Sequence, residues 1–186
     1  MDLEFNLEKA IETNSKRYGL PRPLIAALIQ VESSGDIYAF RSEVKYRYLW
    51  DFKKERPFRR LLNIEQKQEH APVDFPHPGI SSRDTEFRGQ QCSWGPMQIM
   101  GAVARELGFR KAFPMLCSEV GVSYGCALLV NLRKRFFLTY GWEGVVAAYN
   151  AGTPRRMADG NYINQYYIDR VAKSGFDFGG DSNDRV

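Results

Sequence analysis

The stretch Pro21-Arg22-Pro23-Leu24-Ile25-Ala26-Ala27-Leu28-Ile29-Gln30-Val31-Glu32-Ser33-Ser34-Gly35 decides the fold. Prolines at its start suit the first turn of a helix, where no amide donor is needed. Gly35 suits its end. Leu24, Ile25, Leu28 and Ile29 recur at helical spacing and form one apolar seam. The next step of that seam is Glu32. A carboxylate that continues a buried stripe is desolvated on at least one side, which disfavours its charged form. Such a glutamic acid can hold a proton near neutral pH and serve as a general acid. Periodicity alone equally allows a helix-end glutamate that turns to solvent or pairs with an arginine.

Working outward, helical spacing recurs along much of the chain. Residues 3–18 carry Leu3, Leu7, Ala10, Ile11 and Tyr18 and end on Gly19. From Gly95 a further helix is expected, with Pro96 in its first turn and Met97, Ile99, Met100, Val103, Ala104 and Leu107 following. The longest periodic stretch is 120–137, with Tyr124, Leu128, Leu132 and Phe136 spaced four apart. Shorter helices fit 143–149 and 162–173. Residues 36–92 differ in texture, with basic and aromatic runs and a loop around Pro72, Pro76 and Pro78. No repeat and no alternation of strands with helices emerges. The expected fold is mainly α: one domain over 1–178, with an inserted segment at about 40–90 and a flexible tail over 179–186.

Composition agrees. A chain of 186 residues is long enough for one packed core and short for two. With 44% hydrophobic, 26% charged and 13% aromatic residues, it is neither disordered nor low in complexity. Its longest apolar run, 24–29, falls far short of the roughly 20 residues of a spanning helix. Net charge is 26 − 22 = +4 and the pI is about 9.0, which suits an acidic partner such as nucleic acid, an anionic membrane surface or a bacterial wall polymer. Three cysteines, Cys92, Cys117 and Cys126, make an odd count. Free thiols are expected, although Cys117 and Cys126 could pair. No Cys/His spacing suits zinc, and no metal or cofactor is indicated. His70 and His77 read as surface residues of the proline-rich loop. Met1-Asp2-Leu3-Glu4-Phe5 lacks the order of a signal peptide.

Three strings then fall in order: Gln30-Val31-Glu32-Ser33-Ser34-Gly35, Ser93-Trp94-Gly95-Pro96-Met97-Gln98-Ile99-Met100 and Ala148-Tyr149-Asn150-Ala151-Gly152. Together they resemble the soluble lytic transglycosylases of bacteria and their phages, whose motifs are Glu-Ser, Gly-Leu-Met-Gln-Ile and Ala-Tyr-Asn-Ala-Gly. A fourth element, Tyr167-Ile168-Asp169-Arg170-Val171, is similar to the family's Tyr-Val-x-x-Val. The resemblance implies a lysozyme-like (goose-lysozyme-like) helical domain that binds a peptidoglycan glycan strand in the periplasm or on the cell wall. It implies cleavage of the β-1,4 bond between N-acetylmuramic acid and N-acetylglucosamine, with Glu32 as the single acid/base. By the family mechanism, the carboxyl protonates the leaving oxygen, then deprotonates the muramyl C6 hydroxyl, closing a 1,6-anhydro ring. Conventional glycosidases need two carboxylates; here the substrate supplies the nucleophile.

The other motif residues suit a sugar groove. Gln98 and Asn150 each offer an amide donor and acceptor. Tyr149 and Tyr167 combine a flat apolar face with a hydroxyl able to orient Glu32 or the sugar. Met97 can pack against a sugar or under a helix, and Ser33 can contact substrate or bond locally. Tyr149 can equally be core, and Asn150 and Gly152 a helix cap.

Two departures stand out. Pro96 replaces the family's leucine, and 63 residues separate Glu32 from Gly95, where the family commonly needs a few tens. Residues 41–70 carry nine Lys/Arg and five Asp/Glu, 9 − 5 = +4, together with Tyr46, Tyr48, Trp50, Phe52 and Phe58. This insertion can be a flap with its own core, an extension of the sugar groove or, least of all, a nucleic-acid surface. It also brings Glu43, Asp51, Asp74 and Asp84, and Asp36 lies just past Glu32. One of these could hold a water opposite Glu32 and make the enzyme a muramidase-type hydrolase. A non-catalytic wall- or DNA-binding module is the remaining alternative. A monomer acting on peptidoglycan, with no nucleic-acid partner, is expected.

Overall fold

The computed structural model of the chain describes residues 5–179, so most of the expected tail lies outside the described residues. The chain divides into two compact units. A helical unit combines Asn6–Ser34 with the chain from Cys126 onward, and a central unit comprises Gly35–Gly125.

The helical unit opens with α1, Leu7–Tyr18. It starts later than the periodicity suggests because Asn6 caps it, its side-chain oxygen accepting from the Lys9 amide at 2.9 Å. Gly19 closes it in the left-handed conformation, φ 59°. Helix α2, Arg22–Ser33, buries Leu24, Ile25, Ala27 and Leu28 completely. Its left-handed cap is Ser34, φ 55°, rather than Gly35. Of the later helices, α6 spans Glu119–Ala151 and α7 spans Gln165–Lys173. Gly141 interrupts α6 with φ 60° and ψ −165°, at the gap the periodicity leaves between 137 and 143. The α7 start is later than expected because Tyr162 pairs with Arg156 in a short bridge. Both α1 and α7 pack against α2. Leu24, Leu28, Leu129, Val145, Val146 and Val171 are fully buried in this unit, each contributing on the order of 2 kcal/mol.

The central unit holds strands that helical periodicity does not show. Strands β1 (Phe40–Ser42), β4 (Cys92–Trp94) and β5 (Ile99–Met100) form an antiparallel sheet in the order β1-β4-β5. Phe40 lies opposite Trp94, and Ser93 opposite Met100. The hairpin of β2 (Trp50–Asp51) and β3 (Arg56–Pro57) is closed by Asp51, whose carboxylate accepts the Lys53 and Lys54 amides at 3.1 Å. Helices α3 (Asn63–Lys67), α4 (Arg83–Gln90) and α5 (Gly101–Glu106) and a 3-10 turn at Phe113–Leu116 complete it.

The expectation of one helix from Gly95 is corrected. Gly95 at φ 69° and Gln98 at φ 47° make the tight connection between β4 and β5, and the helix begins only at Gly101. Pro96 therefore sits in that connection and not in a first helical turn. A side chain on Gly95 would place its Cβ 2.0 Å from the Leu116 carbonyl oxygen, so glycine is required there.

The inserted residues build a core of their own. Leu49, Leu61, Ala71, Phe75 and Phe87 cluster with Ala102, and Tyr46 and Phe58 pack against them. Beneath α4 lies a buried ion pair: Arg105 Nε and Nη2 donate to the two Glu86 oxygens, each at 2.8 Å. Gln90 donates to Glu86 at 3.0 Å, and Arg105 Nη1 donates to the Phe109 and Lys111 carbonyls at 2.9 Å. All three cysteines are free.

Candidate active site

In the helical unit, the last turn of α2 presents Glu32, and α7 comes to meet it. The Tyr167 hydroxyl donates to Glu32 Oε1 at 2.5 Å. Glu32 is half-buried and Tyr167 almost fully buried. The carboxyl thus continues the apolar seam of Leu24, Leu28 and Ile29, as the spacing suggests. One turn further along α7, Arg170 Nη2 donates to the Val31 carbonyl at 2.9 Å. Residues 167 and 170 share a helix face, so α7 grips two successive residues of α2.

Tyr149 stands on α6 close enough to feel the Glu32 carboxylate. Burial, then Glu32 and then Cys126, raise its phenol pKa well above the ordinary tyrosine value. The Tyr167 phenol is raised in the same way, by burial first, then by the Glu32 charge and hydrogen bond, with Arg170 opposing. Burial thus favours the protonated phenol in both, and the Tyr167 hydroxyl donates to Glu32.

Asn150, next along α6, is exposed. Its Oδ1 accepts from Asn164 Nδ2 at 2.9 Å, and that same amide donates to the Ala147 carbonyl at 3.0 Å. Gly152 ends the helix with φ 77°, its amide donating to the Ala148 carbonyl at 2.7 Å. Ser33 Oγ donates to the Ile29 carbonyl at 3.1 Å, the local bond of a helix end.

In the central unit, Gln98 is anchored on both ends of its amide. Its Oε1 accepts from Ser93 Oγ at 2.8 Å, and its Nε2 donates to the Ala39 and Gly95 carbonyls at 3.0 and 2.9 Å. Met97 is fully buried, close-packed over Gly125. Trp94 stacks between Phe40 and Phe113, with ring centroids 5.8 and 5.7 Å away. The carboxylates considered as water holders each have partners. Asp36 accepts the Tyr38 amide, Asp51 the turn amides, Asp74 pairs with Arg59, Asp84 with His70, and Glu43 with Arg41.

Two contributors escaped sequence reading. Arg170 lies inside the quoted element Tyr167-Ile168-Asp169-Arg170-Val171, so its spacing from Tyr167 was an available signal. Asn164 precedes that element and carries no local signal. Among the described residues no group of three or more His, Cys, Asp or Glu is placed to hold a metal, and no helix is long and apolar enough to cross a membrane.

The fold is mainly helical, as in the lysozyme-like class to which a family match assigns it. Residues 9–169 match the family model described as the transglycosylase SLT domain, and the chain belongs to that family. Membership carries the coarse activity: transglycosylase-type cleavage of peptidoglycan. No curated protein and no solved structure matches the chain.

Proposed function

We infer that this protein is a lytic transglycosylase that cuts the glycan strand of peptidoglycan between N-acetylmuramic acid and N-acetylglucosamine. Glu32 is its single acid/base. The observation that carries this reading is the Tyr167 hydroxyl on Glu32 Oε1, with the Tyr149 phenol alongside. A hydroxyl donor on one oxygen fixes the carboxyl plane and leaves the group poised against a bound sugar.

The proton moves twice. Glu32 delivers it to the glycosidic oxygen as the C1–O bond breaks. The resulting carboxylate takes a proton from the muramyl C6 hydroxyl, whose oxygen closes onto C1. No water enters, and Glu32 is returned protonated. Of the acids considered as water holders, Asp36, Glu43, Asp51, Asp74 and Asp84 are each already engaged by an amide or a cation, which favours this reading over hydrolysis. Asn150 and Gln98 hold the motif segments in shape through their own hydrogen bonds, and Asn150 is exposed enough to offer its remaining polar edge to an N-acetyl group.

The test is clearing of purified wall sacculi by the wild type and by Glu32→Gln. The variant should lose at least about a hundredfold in rate, within the usual range for removing a general acid, with an unchanged thermal melt. A variant that clears at a near-normal rate removes Glu32 from the mechanism.

A further inference from the structure

The outer face of α6 in the helical unit carries a feature the cleavage chemistry does not use. Asn131, Lys134, Arg135 and Leu138 recur at spacings of three and four, and all four are exposed. Leu138 is 99% exposed, an extreme value for a leucine. Lys134 and Arg135 flank it one turn earlier, and the half-buried Phe136 and Phe137 adjoin it. Arg133 Nη1 donates to the Gly19 carbonyl at 3.1 Å, which brings the end of α1, with exposed Arg17 and half-buried Tyr18, beside this face.

The patch is free of acid over long stretches of chain. No Asp or Glu occurs between Glu12 and Glu32 or between Glu119 and Glu143. The acids that flank these stretches in sequence include Glu12 and Glu143. Glu12 is already paired with Lys16 and Arg22. Glu143 acts on Arg156. Lys134 and Arg135, with Arg17 at the neighbouring end of α1, therefore present positive charge beside an uncovered leucine.

We propose that this face docks on the anionic surface of a lipid bilayer. A soluble polyanion satisfies the cations but offers nothing to an exposed leucine, whereas an anionic leaflet offers both: headgroup charge for the cations and an acyl boundary for Leu138. Long basic side chains keep their ammonium or guanidinium at headgroup level while their stems follow the apolar residue inward. Each cation near such a leaflet strengthens partitioning by roughly fivefold, so the attachment is reversible and salt-sensitive. It would hold the enzyme at the membrane face of the wall, and it stands independently of the role given to Glu32.

The experiment is co-sedimentation of the full chain with vesicles of phosphatidylglycerol and phosphatidylcholine, and with phosphatidylcholine alone. Binding is expected only to the mixed vesicles and should fall in high salt. Lys134→Glu with Arg135→Glu should weaken it more than about tenfold. Leu138→Ser keeps every charge and should weaken it several-fold; thermal melts and wall clearing should not change for either variant. Absence of binding to the mixed vesicles overturns the proposal. So does unchanged binding by Leu138→Ser, or tighter binding to duplex DNA than to vesicles, since each marks a purely electrostatic surface.

Discussion

Tyr167 and Glu32 stand 135 positions apart in sequence, yet the hydroxyl of one donates to the carboxyl oxygen of the other at 2.5 Å. The bond ties the last turn of α2 to the first turn of α7. It also explains why a glutamate can extend an apolar seam: its polar end is met by a buried donor instead of being left bare.

Tyr167→Phe removes that donor while keeping the ring. A hydrogen bond to a charged group contributes about 1.5–3 kcal/mol, so kcat should fall about ten- to a hundredfold. Steady-state release of soluble muropeptides checks this. A wild-type rate in the variant would make the bond incidental.

Arg170 acts through the backbone. Its guanidinium holds the Val31 carbonyl, and so the turn that carries Glu32. Arg170→Ala should lower kcat about tenfold with KM little changed, because the loss is in positioning and not in sugar contacts. Arg170→Lys, which keeps a cationic donor, should recover most of the rate. Equal losses in both variants, or a rise in KM alone, would contradict this role.

Much of the helical unit was legible in the sequence, and the central unit much less so. The α2 seam and the gap before Glu143 follow from 3.6-residue spacing, and the Tyr167 partnership was within reach once Glu32 was suspected. The sheet was hidden because its strands are two or three residues long, too short for alternation to register. Gln98 misled in a specific way. The run Gly95 to Leu107 has helical composition, but a left-handed Gln98 tied to Ser93, Ala39 and Gly95 breaks it into a strand connection before the helix begins. That geometry depends on residues far along the chain, which no local pattern reports. The aromatics of the insertion also divided: Tyr46 and Phe58 pack on its core, whereas Tyr48 is 68% exposed.

Tyr46 gives a pH signature. Burial, with the Glu106 and Tyr48 charges, pushes its phenol up to about 12 from the ordinary value of 10. The folded state therefore retains a proton that the unfolded chain gives up. The stabilisation is complete below pH 10 and is lost as pH rises from about 10 to about 12, at most about 3 kcal/mol. Urea melts across that window should show stability declining. Tyr46→Phe should flatten the decline, and an unchanged slope would remove Tyr46 as its source.

The buried Glu86–Arg105 pair predicts an asymmetric response. Glu86→Ala strands a guanidinium that is 1% exposed and should cost roughly 3–5 kcal/mol in urea unfolding. Replacing both partners, Glu86→Leu with Arg105→Met, should cost clearly less than Glu86→Ala alone. A double variant as unstable as the single one would show that packing, and not the stranded charge, sets the cost.

The nature of the new chain ends bears most directly on what Glu32 does. Purified peptidoglycan is digested to completion and the muropeptides are weighed. Intramolecular closure by the C6 oxygen predicts muramyl ends one water lighter than reducing ends throughout the digest. Reducing ends alone would mean that water is the nucleophile, and that a group other than the substrate's own hydroxyl completes the reaction.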